Sequence, residues 1–299
     1  MSNIKTFYDL INFANSQNKK IFEVCQENEA YEMETSVNNI RKKVLENINV
    51  MKSAINEGIK TNAKSSSELS GTDCYKMQCH HSKAGSLFSN VMNKAIVYAL
   101  ASCEQNATMG KIVACPTAGA CGIIPGAIIS ISEELKIDED VQINALITAG
   151  EIGRIIACKM ALAGAVMGCQ GECGVASGMA SGAIVELLGG SNEQIINACA
   201  LTLKNIMGLT CDPVAGLVEV PCVKRNAFLS VHAFTGANLA MANIKSFIPL
   251  DEVIDAMKEV GNLMSSTLKE SSQGGLSTTK TALAKQAQLE KILKNNCFS

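Results

Sequence analysis

Nowhere along this chain do β-branched residues alternate with polar ones at a sustained period of two, which removes a sheet-based architecture from consideration. Apolar residues recur at helical spacing instead, as at Ile40, Val44, Ile48, Met51 and Ile55. The fold expected is all-α: a multi-helix domain whose Gly/Pro-rich loops carry the chemistry. Small residues (Ala, Gly, Ser) dominate the middle of the chain, so the helices should pack closely. With 299 residues and 47% apolar content, a large core can be buried. Two parts are expected: amphipathic helices over 1–66 and a larger helical domain over 67–299 that packs with them as one unit.

Within residues 5–59 the spacing predicts one short and one long amphipathic helix. The segment 58–73 is polar, turn-rich and aperiodic, and reads either as a linker or as a loop closing on a ligand. Further helices are expected over 85–104, 126–135, 138–163, 175–188, 191–207, 223–243, 250–268 and 278–293. Ser191 followed by Gln194 resembles a capping box, in which each side chain satisfies the other's free backbone N–H. The segment 112–132 has no charged residue and is long enough to cross a bilayer. Its prolines and glycines, and the charges at Glu151, Arg154, Lys159 and Glu172 further on, argue against a membrane span.

A net charge of −2 gives no electrostatic reason to expect nucleic acid or an anionic membrane. A small molecule or a protein partner is the better expectation. Thirteen cysteines, an odd number scattered through apolar runs, fit a reducing cytoplasm rather than a disulfide scaffold. The N-terminal residues carry no basic-then-apolar secretory pattern, which agrees with a cytoplasmic location.

Three of the cysteines stand apart by their setting. Cys169, Cys211 and Cys222 each lie beside Gly or Pro at an expected helix boundary, where side chains of separate helices can converge. Neither interval between them is a Cys-x-x-Cys zinc spacing. Buried structural thiols and ligation of an iron-sulfur cluster are both open on spacing alone. Cys173, four residues beyond Cys169, rivals it for a shared face. Cys158 and Cys199 fall inside helical runs and are expected in the core. His232 sits in an apolar helical run and reads as structural, whereas His80 and His81 read either as bases or as surface residues. The glycine-rich turn Pro116-Thr117-Ala118-Gly119 opens a helix, and free N–H groups at such an end favour an anion.

Three motifs carry a resemblance to a known family. They are Ile112-Val-Ala-Cys-Pro-Thr-Ala-Gly-Ala-Cys-Gly-Ile-Ile-Pro125, Gly168-Cys-Gln-Gly-Glu-Cys-Gly174 and Cys211-Asp-Pro-Val-Ala-Gly-Leu-Val-Glu-Val-Pro-Cys222-Val-Lys-Arg-Asn-Ala227. Together they make the chain resemble the iron-sulfur-dependent L-serine dehydratases, and in particular the separate α chain of the two-subunit form, over roughly 67–283. The resemblance implies a [4Fe-4S] cluster held by Cys169, Cys211 and Cys222, with one iron left open as a Lewis acid. L-Serine would lose its α-proton to a base and its hydroxyl as water, and the aminoacrylate would break down to pyruvate and ammonia. Substrate contacts are expected from Thr117 and the backbone around Gly119, and from Ser70 and Thr72. The loop Ser70-Gly71-Thr72-Asp73 follows the family's Gly-Gly version only loosely.

Fused members of that family carry an N-terminal β domain with a Ser-His-Thr motif, which this sequence lacks. A separate β subunit that supplies a catalytic histidine is therefore expected. Cys297, near the C-terminus, is a candidate tail ligand for the open iron, or else part of a frayed end. Two other functions remain in view: a related lyase acting on L-cysteine, and a non-catalytic helical subunit holding a cluster or zinc.

Overall fold

The N-terminal helices are opened by capping side chains. Thr6 Oγ1 accepts from Asp9 N at 3.1 Å, and Ser36 Oγ from Asn39 N at 3.2 Å, each satisfying one of the free amides of a first turn. The structure is a computed structural model, and it describes residues 4–82 and 87–296. In chain order the α-helices are α1 (Phe7–Ser16), α2 (Ile21–Glu32), α3 (Val37–Lys60), α4 (Asp73–His81), α5 (Asn90–Ala107), α6 (Ile123–Leu135) and α7 (Glu139–Lys159). There follow α8 (Gly164–Met167), α9 (Val175–Leu187), α10 (Asn192–Lys204), α11 (Cys222–Met241), α12 (Leu250–Leu263) and α13 (Lys280–Asn296). Among the described residues there is no strand, only an isolated bridge between Cys211 and Lys269. The all-α expectation holds.

Helix α9 is the axis of the fold. Every residue from Val175 to Leu187 is buried, and α6, α7, α10 and α11 pack around it. Its small residues permit this: a Cβ added at Gly182 would stand 2.4 Å from Ile152 Cδ1 of α7. Helix α5 is enclosed in the same way between α3, α6 and α11. Helices α1 to α3 contribute Phe7, Leu10, Ile21, Ile48 and Met51 to the core that also holds α6, α7 and α9.

Several boundaries differ from those expected. Residues 5–59 form three helices rather than two, because the chain turns at Asn18 (φ 53°) and Glu34 (φ 50°). These are left-handed positions that no glycine marks in the sequence. Helix α4 was not expected, and it carries His80 and His81 in its last turn. Helix α5 begins at Asn90; residue 85, its expected start, lies outside the described residues. Helix α12 stops at Leu263, after which Met264 is extended and Ser266–Leu268 forms a short turn. The Ser191–Gln194 capping box is present, with both bonds made (3.2 and 2.8 Å).

Cys199 is buried in the core as expected, but Cys158 is exposed near the C-terminal end of α7. His232 Nε2 meets Thr202 O at 3.1 Å between two helices, in keeping with a structural role. The segments Ala118–Leu135 and Glu139–Lys159 are long and apolar enough to cross a membrane by composition, yet 72% and 61% of their apolar windows lie inside the protein.

Candidate metal centre

The turn before α9 is built around two residues that admit little change. Gly168 has φ 71°, and a Cβ there would fall 2.8 Å from Met264 Sδ and 2.9 Å from Leu209 O. Gln170 is fully buried and bonds three ways: its N donates to Leu209 O (3.1 Å), its Nε2 to Met257 O (2.9 Å), and its Oε1 accepts from Gly208 N (2.9 Å). It thereby fixes the wide turn Gln170–Gly174 to the loop leading to Cys211 and to α12. Cys169 sits at the head of that turn. Cys211 is held in its loop by Cys211 N to Leu268 O (2.9 Å) and Glu270 N to Cys211 O (2.6 Å). Cys222 is the first residue of α11, directly after the cis Val220–Pro221 bond.

These elements bring one ligand atom each of Cys169, Cys211 and Glu172 within 4.8 Å of one another, a group able to hold a metal ion. Cys222 stands outside that tightest group, but it is buried and close enough to feel the charge of Cys169, Glu172 and Arg225. The Cys169 thiol is driven well below the ordinary range, foremost because the Cys173 and Cys211 thiols donate to it, with the Arg225 guanidinium adding to the effect against burial. The converse holds for Cys211, pushed up by donating to Cys169 and by burial. Burial raises Cys222 to about 12. The centre thus stabilises one thiolate beside a buried cation, the state in which cysteine binds metal. Glu172 is also raised, by burial, against the opposing hydrogen bond from Thr117.

The family model for the serine dehydratase alpha chain matches residues 16–277. The chain belongs to that family. Among its relatives, a probable L-serine dehydratase alpha chain of Bacillus subtilis is 46% identical over 79% of this chain and 78% of its own length. The L-serine dehydratase alpha chain of Peptoniphilus asaccharolyticus is 38% identical over 93% and 95%. L-Serine dehydratase 1 of Escherichia coli is 41% identical over 62% of this chain but only 42% of its own.

The Thr117 turn lies against the candidate metal-binding group. Thr117 Oγ1 donates to Glu172 Oε1, and a Cβ added at Gly119 would meet the same oxygen at 2.5 Å. Asn226, on α11, clips the turn in place: Nδ2 donates to Gly119 O (2.8 Å) and Cys222 O (2.9 Å), and Oδ1 accepts from Gly122 N (3.0 Å). Cys173 points its thiol at Gly119 O (3.9 Å) while also donating to Cys169, which places it at the edge of the centre.

Ser70 has a different environment from the one a free substrate contact requires. Its hydroxyl donates to Glu219, whose other oxygen takes Ser67 Oγ at 2.8 Å. Thr72 (φ 70°) opens α4, whose first amides, Asp73 N and Cys74 N, donate to the buried Glu104 carboxylate at 2.7 and 3.3 Å. With the Asp73–Lys224 ion pair (2.7 Å), these bonds tie the 65–73 loop to the segment bearing Cys222. The loop is thus joined to the site region rather than being a free linker. Cys297 lies outside the described residues.

Sequence reasoning assigned no role to Glu172, Gln170, Arg225, Asn226 or Glu219. Each lies inside a motif that already stood out, so the available signal was position: a charged or amide side chain in an otherwise apolar stretch.

Proposed function

We propose that the chain is the α subunit of a cytoplasmic two-chain lyase that converts L-serine to pyruvate and ammonia, with a [4Fe-4S] cluster held by Cys169, Cys211 and Cys222. The observation that carries this reading is the convergence of the buried Cys169 and Cys211 thiols with Glu172 and Thr117, with buried Cys222 within electrostatic reach, in a member of the serine dehydratase alpha chain family. The donor set suits the cluster: three sulfur ligands, one already favoured as thiolate, with the Arg225 charge to offset their negative sum. When bound, such a cluster supplies Lewis-acid chemistry at the iron that has no protein ligand, making hydroxide a better leaving group.

The chain's own residues then bind and orient. Thr117 and the backbone around Gly119 contact the substrate, and Asn226 holds that turn in register with Cys222. Burial around Glu172 keeps water away from the reacting carbon. Ser70 acts through Glu219, positioning the loop that carries Thr72. A separate β subunit contributes the histidine that removes the α-proton, and Cys297 closes the site until substrate displaces it.

Anaerobic purification with the β chain, followed by iron, sulfide and pyruvate assays, tests the proposal. About four irons and four sulfides per α chain with serine turnover are expected, whereas a colourless protein with stoichiometric zinc would exclude it. Comparing L-serine with L-cysteine separates a dehydratase from a desulfidase.

A further inference from the structure

A cavity of about 470 Å³ opens between α2, α3 and α7, away from the cysteine group. Its floor is the segment 113–116, the residues that run directly into Thr117. Its volume lies within the roughly 300–1,000 Å³ of small-molecule sites. Most of its wall is apolar, with Ile40, Val44 and Met51 on α3 facing Leu146 and Ile147 on α7.

One end has the opposite character. Cys25, Glu29, Glu151 and Arg154 also line an adjoining polar recess, where they are joined by Asn28 and Glu32. Arg154 is fully engaged: Nε and Nη2 bond Glu151 at 2.7 Å each, and Nη2 also bonds Ile4 O at 2.9 Å. That pair cancels its own charge. Glu29 and Glu32 have no ion-pair partner among the described residues, and Asn28 Oδ1 is a buried acceptor with no donor. Lysine is absent from the lining of both recesses. The buried Asn28 Oδ1 lacks a donor, and the exposed, unpaired Glu29 and Glu32 add negative charge at the end of an apolar wall, a combination that favours a cationic donor on an apolar body.

We propose that this cavity binds a small primary ammonium compound, its charged head at Asn28, Glu29 and Glu32 and its hydrocarbon part against α3 and α7. The three acceptors match the three N–H donors of an ammonium. A carboxylate head would meet the like charge of Glu29 and Glu32.

Gly150 provides the decisive variant. It lies in α7 on the cavity wall, and a Cβ built there meets nothing within 4 Å. Gly150→Leu therefore fills the space without a backbone clash and gains helix propensity. Titrating isoamylamine, isoamyl alcohol and isovalerate into the full-length chain by calorimetry should give binding by the amine alone. Gly150→Leu should abolish that binding with an unchanged or higher unfolding midpoint. Glu29→Gln, at an exposed position, should weaken it several-fold with no effect on the fold. Equal binding of alcohol and amine, no binding of the amine up to about 10 mM, or affinity insensitive to Glu29→Gln would overturn the assignment.

Discussion

Asn226 is a single side chain that satisfies three backbone groups, two of them in the turn beside the metal centre. It is fully buried, so Asn226→Ala leaves the buried Gly122 N–H without a partner and Gly119 O with only the weak Cys173 thiol contact. The loss expected is about 3 kcal/mol of unfolding free energy, taking one to two unsatisfied groups at their usual cost. Denaturant midpoints for the two proteins measure it, and a change under about 1 kcal/mol would mean that the turn finds other donors. Glu186 offers a test of opposite sign. It is buried on α9 with one hydroxyl donor, Thr148 at 3.1 Å, and burial raises its carboxyl above the ordinary range. A carboxyl raised on folding contributes stability that is present below its unfolded value, near 4.5, and lost as pH rises through the folded one. Glu186→Gln should therefore be the more stable protein at neutral pH, with the advantage shrinking in acid. Thermal scans from pH 4 to 8 would show the crossing; a pH-independent difference would place the effect in packing.

At the scale of elements, small residues decide how closely helices approach, and this much could be read from the sequence. The Gly-Ala-Ser content of the middle of the chain predicted closely packed helices, and α9 is buried along its whole length. The same content did not say which glycine faces which neighbour. Gly126 of α6 proves to face α5, where an added Cβ would stand 2.8 Å from Ala95 O and 3.1 Å from Ala99 Cβ. Gly126→Ala sets a helix-propensity gain of about 1 kcal/mol against backbone overlap of about 1–3 kcal/mol. Backbone cannot move aside as a flexible side chain does, so net destabilisation is expected and is measurable by chemical denaturation. Boundaries were less legible than helices. The breaks at Asn18 and Glu34 rest on left-handed residues of types that elsewhere continue a helix, and α4 is set by Glu104, more than twenty positions downstream. The site followed the same rule. Their setting beside Gly or Pro picked out Cys169, Cys211 and Cys222 as residues at helix breaks, but the contacts of this group with Glu172, Arg225 and Thr117 depend on long-range packing that no local pattern encodes.

For the molecule as a whole, the C-terminal helix buries little. Among the α13 residues whose side chains are described, Ala282 alone is buried, at 4% exposure, and the helix packs chiefly on the turns Val214–Gly216 and Gly275–Thr278. The anchoring of the Cys211 loop precedes it in the chain: Asp212 takes Leu276 N at 2.8 Å and faces Arg225 at 3.4 Å. Ending the chain after Thr279 keeps both bonds. Such a truncation should cost about 1 kcal/mol or less, the usual effect of changes at a site with so little burial. It also removes Cys297, which separates stability from gating in one variant. With Cys297 acting as the tail ligand proposed above, the truncated protein and full-length Cys297→Ser should both lack any slow activation phase in serine turnover, while keeping near-parental unfolding midpoints. A lag that persists in both would assign the delay to another step, and a large stability loss in the truncation alone would show that α13 carries packing beyond Ala282.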